Sequence, residues 1–244
     1  MAKFMTMKFH RNPVLFVVCI LALIIVSACN NTHVGEGETV SQTRELGKFD
    51  KVVLNMDAKV TVTDTFANYC VVRAQQNLQD VIITRLDGNT LVITTKGTVV
   101  TDDPIEITIG LSQAAAFEVN GSGQIVGLNT IKNESLDFEV NGSGKLKLDV
   151  VAVKVTGAVS GSGTVNLTGS SNELNVEING SGLVDASEFS TLQSKARISG
   201  SGDVKLLVDE TLEANVGGSG VVSYRGNAVV NKKISGSGEV IKLD

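Results

Sequence analysis

Two stretches decide the fold: FEVNGSGQIV at residues 117–126 and FEVNGSGKLK at residues 138–147, the second restating the first 21 residues later. Their Gly-Ser-Gly centre returns at Gly121, Gly142, Gly161, Gly180, Gly200, Gly218 and Gly236, in steps of 18 to 21 residues. A steady period of this size marks a repeat architecture. Each unit is too small to bury an apolar face alone and must share a core with its neighbours.

Aligning the chain on the triplets exposes a second regularity. Two positions before each triplet stand Val119, Val140, Val159, Ile178, Ile198, Val216 and Ile234; two positions after stand Ile125, Leu146, Val165, Val184, Val204, Val222 and Val240. All are aliphatic, and all but Leu146 are β-branched. The residues between are mostly polar, which gives the period of two of a strand with one buried face. Propeller blades need units of about 40 residues, and no series of two-residue hairpin turns supports a meander. The pattern therefore predicts an all-β fold: a single-stranded parallel β-helix with coils of about 20 residues stacked about 4.8 Å apart.

Counting by two from Val119 through Gly121 and Gly123 to Ile125 places both glycines on the core side and Ser122 outside. Glycine there lets the wall bend where a Cβ would collide. The residue before each triplet runs Asn, Asn, Ser, Asn, Ser, Gly, Ser, a composition suited to a side-chain ladder at a corner. Phe117 and Phe138 are expected to stack on successive coils. Glu177 with Arg197, and Asp185 with Lys205, share slots in consecutive units and should face each other on the outer wall.

The front of the domain repeats the pattern in degraded form. Leu54-Asn55-Met56-Asp57-Ala58-Lys59-Val60 aligns with Val119 to Ile125, larger residues replacing glycine, as expected of a terminal repeat. Asp87-Gly88 reads as a turn between two β-rich runs. Residues 48–244 thus form one β-helix domain, with irregular coils or a cap over 48–113 and regular coils over 114–244.

Ahead of it, Lys3, Lys8 and Arg11 precede an uncharged, largely apolar run of 15 residues, Val14 to Ala28. That is short for a membrane span and suited to a signal segment, residues 1–28. It ends in Val26-Ser27-Ala28-Cys29, which resembles a bacterial lipobox. The resemblance implies cleavage before Cys29, acylation of that residue, and a membrane partner held through the lipid. Asn30 in place of Asp favours the outer membrane. Residues 29–47, polar and Gly-bearing, read as the lipidated Cys and a flexible tether. The processed chain carries 18 Lys plus Arg against 26 Asp plus Glu, a balance that argues against nucleic acid as a partner. Cys70 is then the sole remaining thiol, and its alternation with Val72 and Ala74 predicts a buried, inert one.

With the lipobox, the leading FDKVV strand at Phe49, the DGNTLVI turn and the serial hydrophobic-x-GSG-x-hydrophobic units on the page, the chain resembles the head GIN domain family, described as auto-transporter adhesins. The resemblance covers Phe49 to Asp244. It implies a right-handed, pectin-lyase-like β-helix and adhesion to an extracellular or envelope ligand, protein or glycan. The family brings no catalytic residues, cofactor or metal site, so only Cys29 stands as a functional residue.

Enzymes also use β-helices, so a polysaccharide-binding or -cleaving role is the alternative. The processed chain has one histidine, His33, no tryptophan, and two tyrosines, Tyr69 and Tyr224, far apart. A carboxylate pair would be needed, and the best acidic stack is Glu118 over Glu139, with Glu177 further along. Three or more charged side chains converging in one groove would favour the enzyme; a flat laddered wall would favour binding. Asp does not recur after the triplets, which removes a calcium-binding β-roll, and the glycine spacing does not match a phosphate-binding loop.

Overall fold

The computed structural model describes residues 31–65 and 67–244; the 1–28 segment and Cys29 lie outside these. The first strands are β1 (Thr32–Val34), β2 (Thr39–Arg44), β3 (Lys51–Leu54), β4 (Lys59–Asp64), β5 (Tyr69–Gln75), β6 (Ile82–Asp87), β7 (Thr90–Thr95), β8 (Thr98–Val100) and β9 (Glu106–Leu111). The regular part follows as β10 (Ala116–Gly121), β11 (Gln124–Gly142), β12 (Lys145–Gly161), β13 (Thr164–Gly180), β14 (Leu183–Gly200), β15 (Asp203–Gly218), β16 (Val221–Arg225), β17 (Val229–Gly236) and β18 (Glu239–Lys242). Pairing is parallel from β10 to β18, making a β-solenoid of about seven turns with coils of about 19 residues.

The aliphatic residues before the triplets explain why the stack holds. Val119, Val140, Val159, Ile178, Ile198 and Val216 lie one above another, each no more than 2% exposed. Burying side chains of this kind contributes about 1.5–3 kcal/mol each. Phe117 pairs with Phe138 on the next coil, as the repeat predicts, and both are buried.

The triplet itself works differently from the simple count by two. Only its second glycine faces the core: Gly144 is buried, whereas Gly142 is exposed and takes φ +112°. The strand breaks at Ser143 and Gly144, and the positive φ turns the first glycine outward at the corner, after which the alternation resumes in the same phase at Gly144 and Leu146. A Cβ on Gly142 would lie 2.8 Å from the carbonyl oxygen of Gly121, one coil below. A Cβ on Gly144 would lie 2.5 Å from Val119 Cγ1. One glycine thus answers to backbone conformation and close stacking, the other to core space.

The N-terminal end departs from simple stacking. β3 lies between β7 and β10, and β4 between β9 and β11, so the outermost coil comes later in the chain than the one beneath it. The predicted alignment holds, with Leu54 beside Val119 and Val60 beside Ile125. Antiparallel strands then close this end: β6 on β7, and β5 on β9. The β6–β7 loop is Gly88-Asn89, one residue later than the Asp87-Gly88 expectation, because Asp87 still pairs with Thr90. Gly88 takes φ +61°, as the first position of such a loop can require.

The tether expectation for residues 29–47 is corrected over most of its described length. β1 pairs with β8, and β2 runs antiparallel to β5 as the edge strand. Thr39, Val40 and Thr43 favour strand, and an edge strand needs no strict apolar alternation. Arg44 fixes its end, Nη2 donating to the Gln79 carbonyl at 2.6 Å.

The opposite end is blunted by charge. The inward slot held by Phe138, Val176 and Ala214 in lower coils passes to Lys232 in β17, directly beside Ala214. Lys232 is exposed in this last coil, and a charged lysine in that slot of an edge strand discourages a further strand from pairing there.

Candidate binding wall

Coil length varies, but the variation is confined to one side. Register shifts fall between Val126 and Thr130, Asn166 and Thr168, and Ala186 and Gln193, all after a triplet. The eight residues that end at each triplet's first glycine pair without interruption from β11 through β15. That side is a flat wall whose outward residues form axial rows one, three, five and seven positions before the glycine.

The row nearest the corner carries the expected ladder over its first three asparagines, Asn55, Asn120 and Asn141. Asn141 Nδ2 donates to Asn120 Oδ1 at 2.9 Å, and Asn120 Nδ2 donates to Asn55 Oδ1 at 2.7 Å. Each asparagine also holds a carboxylate two residues back on its own strand: Asn120 to Glu118 at 2.6 Å, Asn141 to Glu139 at 2.8 Å, Asn179 to Glu177 at 2.9 Å. Glu118 and Glu139 are neighbours as predicted, but both are spent on asparagine amides and do not converge on a common point.

Glu177 sits beside Arg197, and Asp185 beside Lys205, the latter pair at 3.3 Å. Lys154 pairs with Glu173 at 3.1 Å and Lys195 with Glu213 at 2.8 Å. The Asn175 amide, then Lys154, hold the Glu173 carboxyl below its ordinary range; Lys195, then Asn215, do the same for Glu213. For Asp185, burial pushes upward but is outweighed by hydrogen bonds from Ser187 and by Lys205, and the net shift is downward. Small outward residues, Thr156 and Ala158, leave a groove of about 540 Å³ between Asp137 on one side and Lys195 and Arg197 on the other.

A second groove, of about 490 Å³, lies at the N-terminal corner. It gathers Asp57, Lys59, Asp102, Asp103 and Lys145, all exposed. The slots of Asp57, Lys59 and Lys145 follow from the repeat alignment. Asp102 and Asp103 do not, because they arrive on the β8–β9 connection, whose place in the outermost coil no local pattern announces. Among the described residues no group of three or more His, Cys, Asp or Glu is placed to hold a metal ion. His33 in β1, Tyr69 in β5 and Tyr224 in β16 sit on separate strands that do not pair with one another. Cys70 is fully buried as predicted, and burial pushes its thiol up to about 11 against the opposing pull of Arg44.

The fold and the wall define a β-solenoid whose exposed chemistry is laid out in registered rows. The chain belongs to the head GIN domain family: the family model described as "Putative auto-transporter adhesin, head GIN domain" matches residues 48–228. No curated protein matches the chain. Among solved structures it is similar to a "putative adhesin" from Bacteroides fragilis, 19% identical, with a TM-score of 0.82 over 86% of this chain and 100% of that one. A "putative adhesin" from Parabacteroides distasonis is 20% identical, with a TM-score of 0.74 over 87% and 100% of the two chains. A "putative lipid binding protein" from the same organism is 20% identical, with a TM-score of 0.71 over 88% and 100%. At these identities the likeness is one of fold.

Proposed function

We propose that this chain is a lipid-anchored protein of the cell envelope, an outer-membrane lipoprotein, that adheres to an extracellular or envelope ligand through its flat wall and performs no catalysis. The observation that carries this reading is the unbroken register of the wall, where coil-length variation has been kept entirely to the other side. The family's adhesin description supports the same role. Anchoring rests on the lipobox at Cys29. Among the described residues no helix is long and apolar enough to cross a membrane.

The corner groove favours a second reading, polysaccharide binding or cleavage, because it brings five charged side chains together. Their exposure weighs against cleavage, since a glycosidase acid is set in a dry pocket. The full chain applied to an array of glycans and matrix proteins separates the two. Adhesion through the wall predicts binding that is lost with Thr156→Arg and kept with Lys59→Glu. The reverse pattern, or release of reducing sugar by the wild type, supports the polysaccharide reading instead.

A further inference from the structure

The geometry points to a second copy of this chain as an occupant of the wall, docked face to face with its solenoid axis reversed. This deepens the adhesion reading and rests on it. The charge order along the rows carries the argument. Consider a two-fold axis lying in the wall along the strand direction, midway between β12 and β13. It returns each axial row onto itself and inverts the order of the coils.

From the observed register, Asp137 then faces Lys195 of the second copy, and Glu139 faces Arg197. Lys154 faces Glu173. Each pair occurs twice by symmetry, as an isologous interface requires. One coil further out, Glu118 meets Asn215, and no like charges are opposed in these three rows. Moving the axis by half a coil destroys the match. In one direction Glu139 meets Glu177; in the other Asp137 meets Glu213 and Glu177 meets itself.

Shape agrees with charge. The low ground of the wall is at Thr156 and Ala158, the floor of the groove of about 540 Å³. The same axis sets Asn175 and Glu177 of the second copy over that floor. Asp137 and Arg197 make no hydrogen bond or ion pair to another side chain among the described residues, so both are available to a partner. Seven coils by seven residues make a face of about 29 Å by about 20 Å. That is near the lower end of specific interfaces, so pairing is reversible and salt-sensitive.

The axis reversal has a functional meaning. β2 forms the N-terminal edge of the solenoid, and the chain leading back to Cys29 leaves from that end. Paired copies therefore point their anchors in opposite directions, which joins two facing envelopes rather than neighbours in one.

The test uses the full chain in detergent micelles and sedimentation velocity. A monomer–dimer equilibrium is expected, weakening about tenfold or more between 0.05 and 0.5 M salt. Glu139→Arg and Arg197→Glu should each weaken it by a similar factor, and the two together in one chain should restore it. Orientation is read by mixing a chain carrying Asp137→Cys with one carrying Lys195→Cys and adding a bismaleimide that spans about 10 Å, the spacing of two sheets packed face to face. The mixture should yield a covalent heterodimer above the wild-type background, and neither chain alone should. A chain monomeric throughout, a double swap that fails to restore pairing, or cross-links in the single-variant samples overturns the proposal. Adhesion to a foreign ligand would still stand, because the array reads it separately.

Discussion

Asn141 donates its side-chain amide to the side-chain oxygen of Asn120, one coil below, across 2.9 Å. Asn120 in turn donates to both Asn55 and Glu118, so a single side chain ties three coils and orients a carboxylate. Replacing it by alanine removes three hydrogen bonds, two of them to neutral partners. Asn120→Ala should lower unfolding free energy by about 1–2 kcal/mol. Ser160→Ala, two rungs on, should cost less than about 0.5 kcal/mol. Urea melts of the two variants check the difference, and equal midpoints would refute a working ladder.

The corner glycines make a sharper contrast. Gly142→Val forces a branched side chain to φ +112° and against Gly121. A cost of about 2–4 kcal/mol is expected from strain and overpacking together. Ser143→Val, exposed at the next position, should cost less than about 1 kcal/mol. Thermal unfolding distinguishes them by several degrees.

These two positions also show what the sequence reveals and where it stops. The alignment of fourteen aliphatic residues makes coil register predictable, and pairs such as Asp185 with Lys205 follow directly. The role of Gly142 does not, because alternation counts residues and cannot see a positive φ that turns one inward slot outward. Likewise Thr39 to Arg44 carries no apolar alternation, since an edge strand against β5 buries little. Asp102 reaches the corner groove only through the inverted order of the first coils, a purely tertiary fact.

Cys70 should be silent in the folded protein. With its thiol pushed up to about 11 by burial, almost none is thiolate at pH 8. Alkylation by iodoacetamide should be absent in buffer and complete in urea, as read by peptide mass spectrometry. Rapid native labelling at Cys70 would contradict the packing of β5 against the core.

Acid should weaken the outer surface before the core. The carboxyls of Glu173, Asp185 and Glu213 are all held below their ordinary range. A depressed folded-state value gives stability that is present above the unfolded value, about pH 4, and is lost as pH falls through the folded one. Melting temperature should therefore be level from pH 7 to about pH 5 and decline below about pH 4. Lys195→Met should shrink the part of that decline that belongs to Glu213; an unchanged profile would show that the pair is not formed in solution.

Anchoring is checked at its own residue. Cys29→Ser should abolish labelling by a fatty-acid probe and leave the precursor uncleaved, while the folded domain is secreted or retained by its signal segment alone. Labelling that persists in this variant would place the lipid elsewhere.

Because every register shift between coils falls after a triplet, the molecule behaves like a toothed belt that meshes on one side and hangs loose on the other. Residues can be added to the loose side, near Asn129 or at Asp209-Glu210, without moving a tooth. The chain is thus open to lengthening and to carrying foreign loops there, while the meshed side keeps its pitch unchanged.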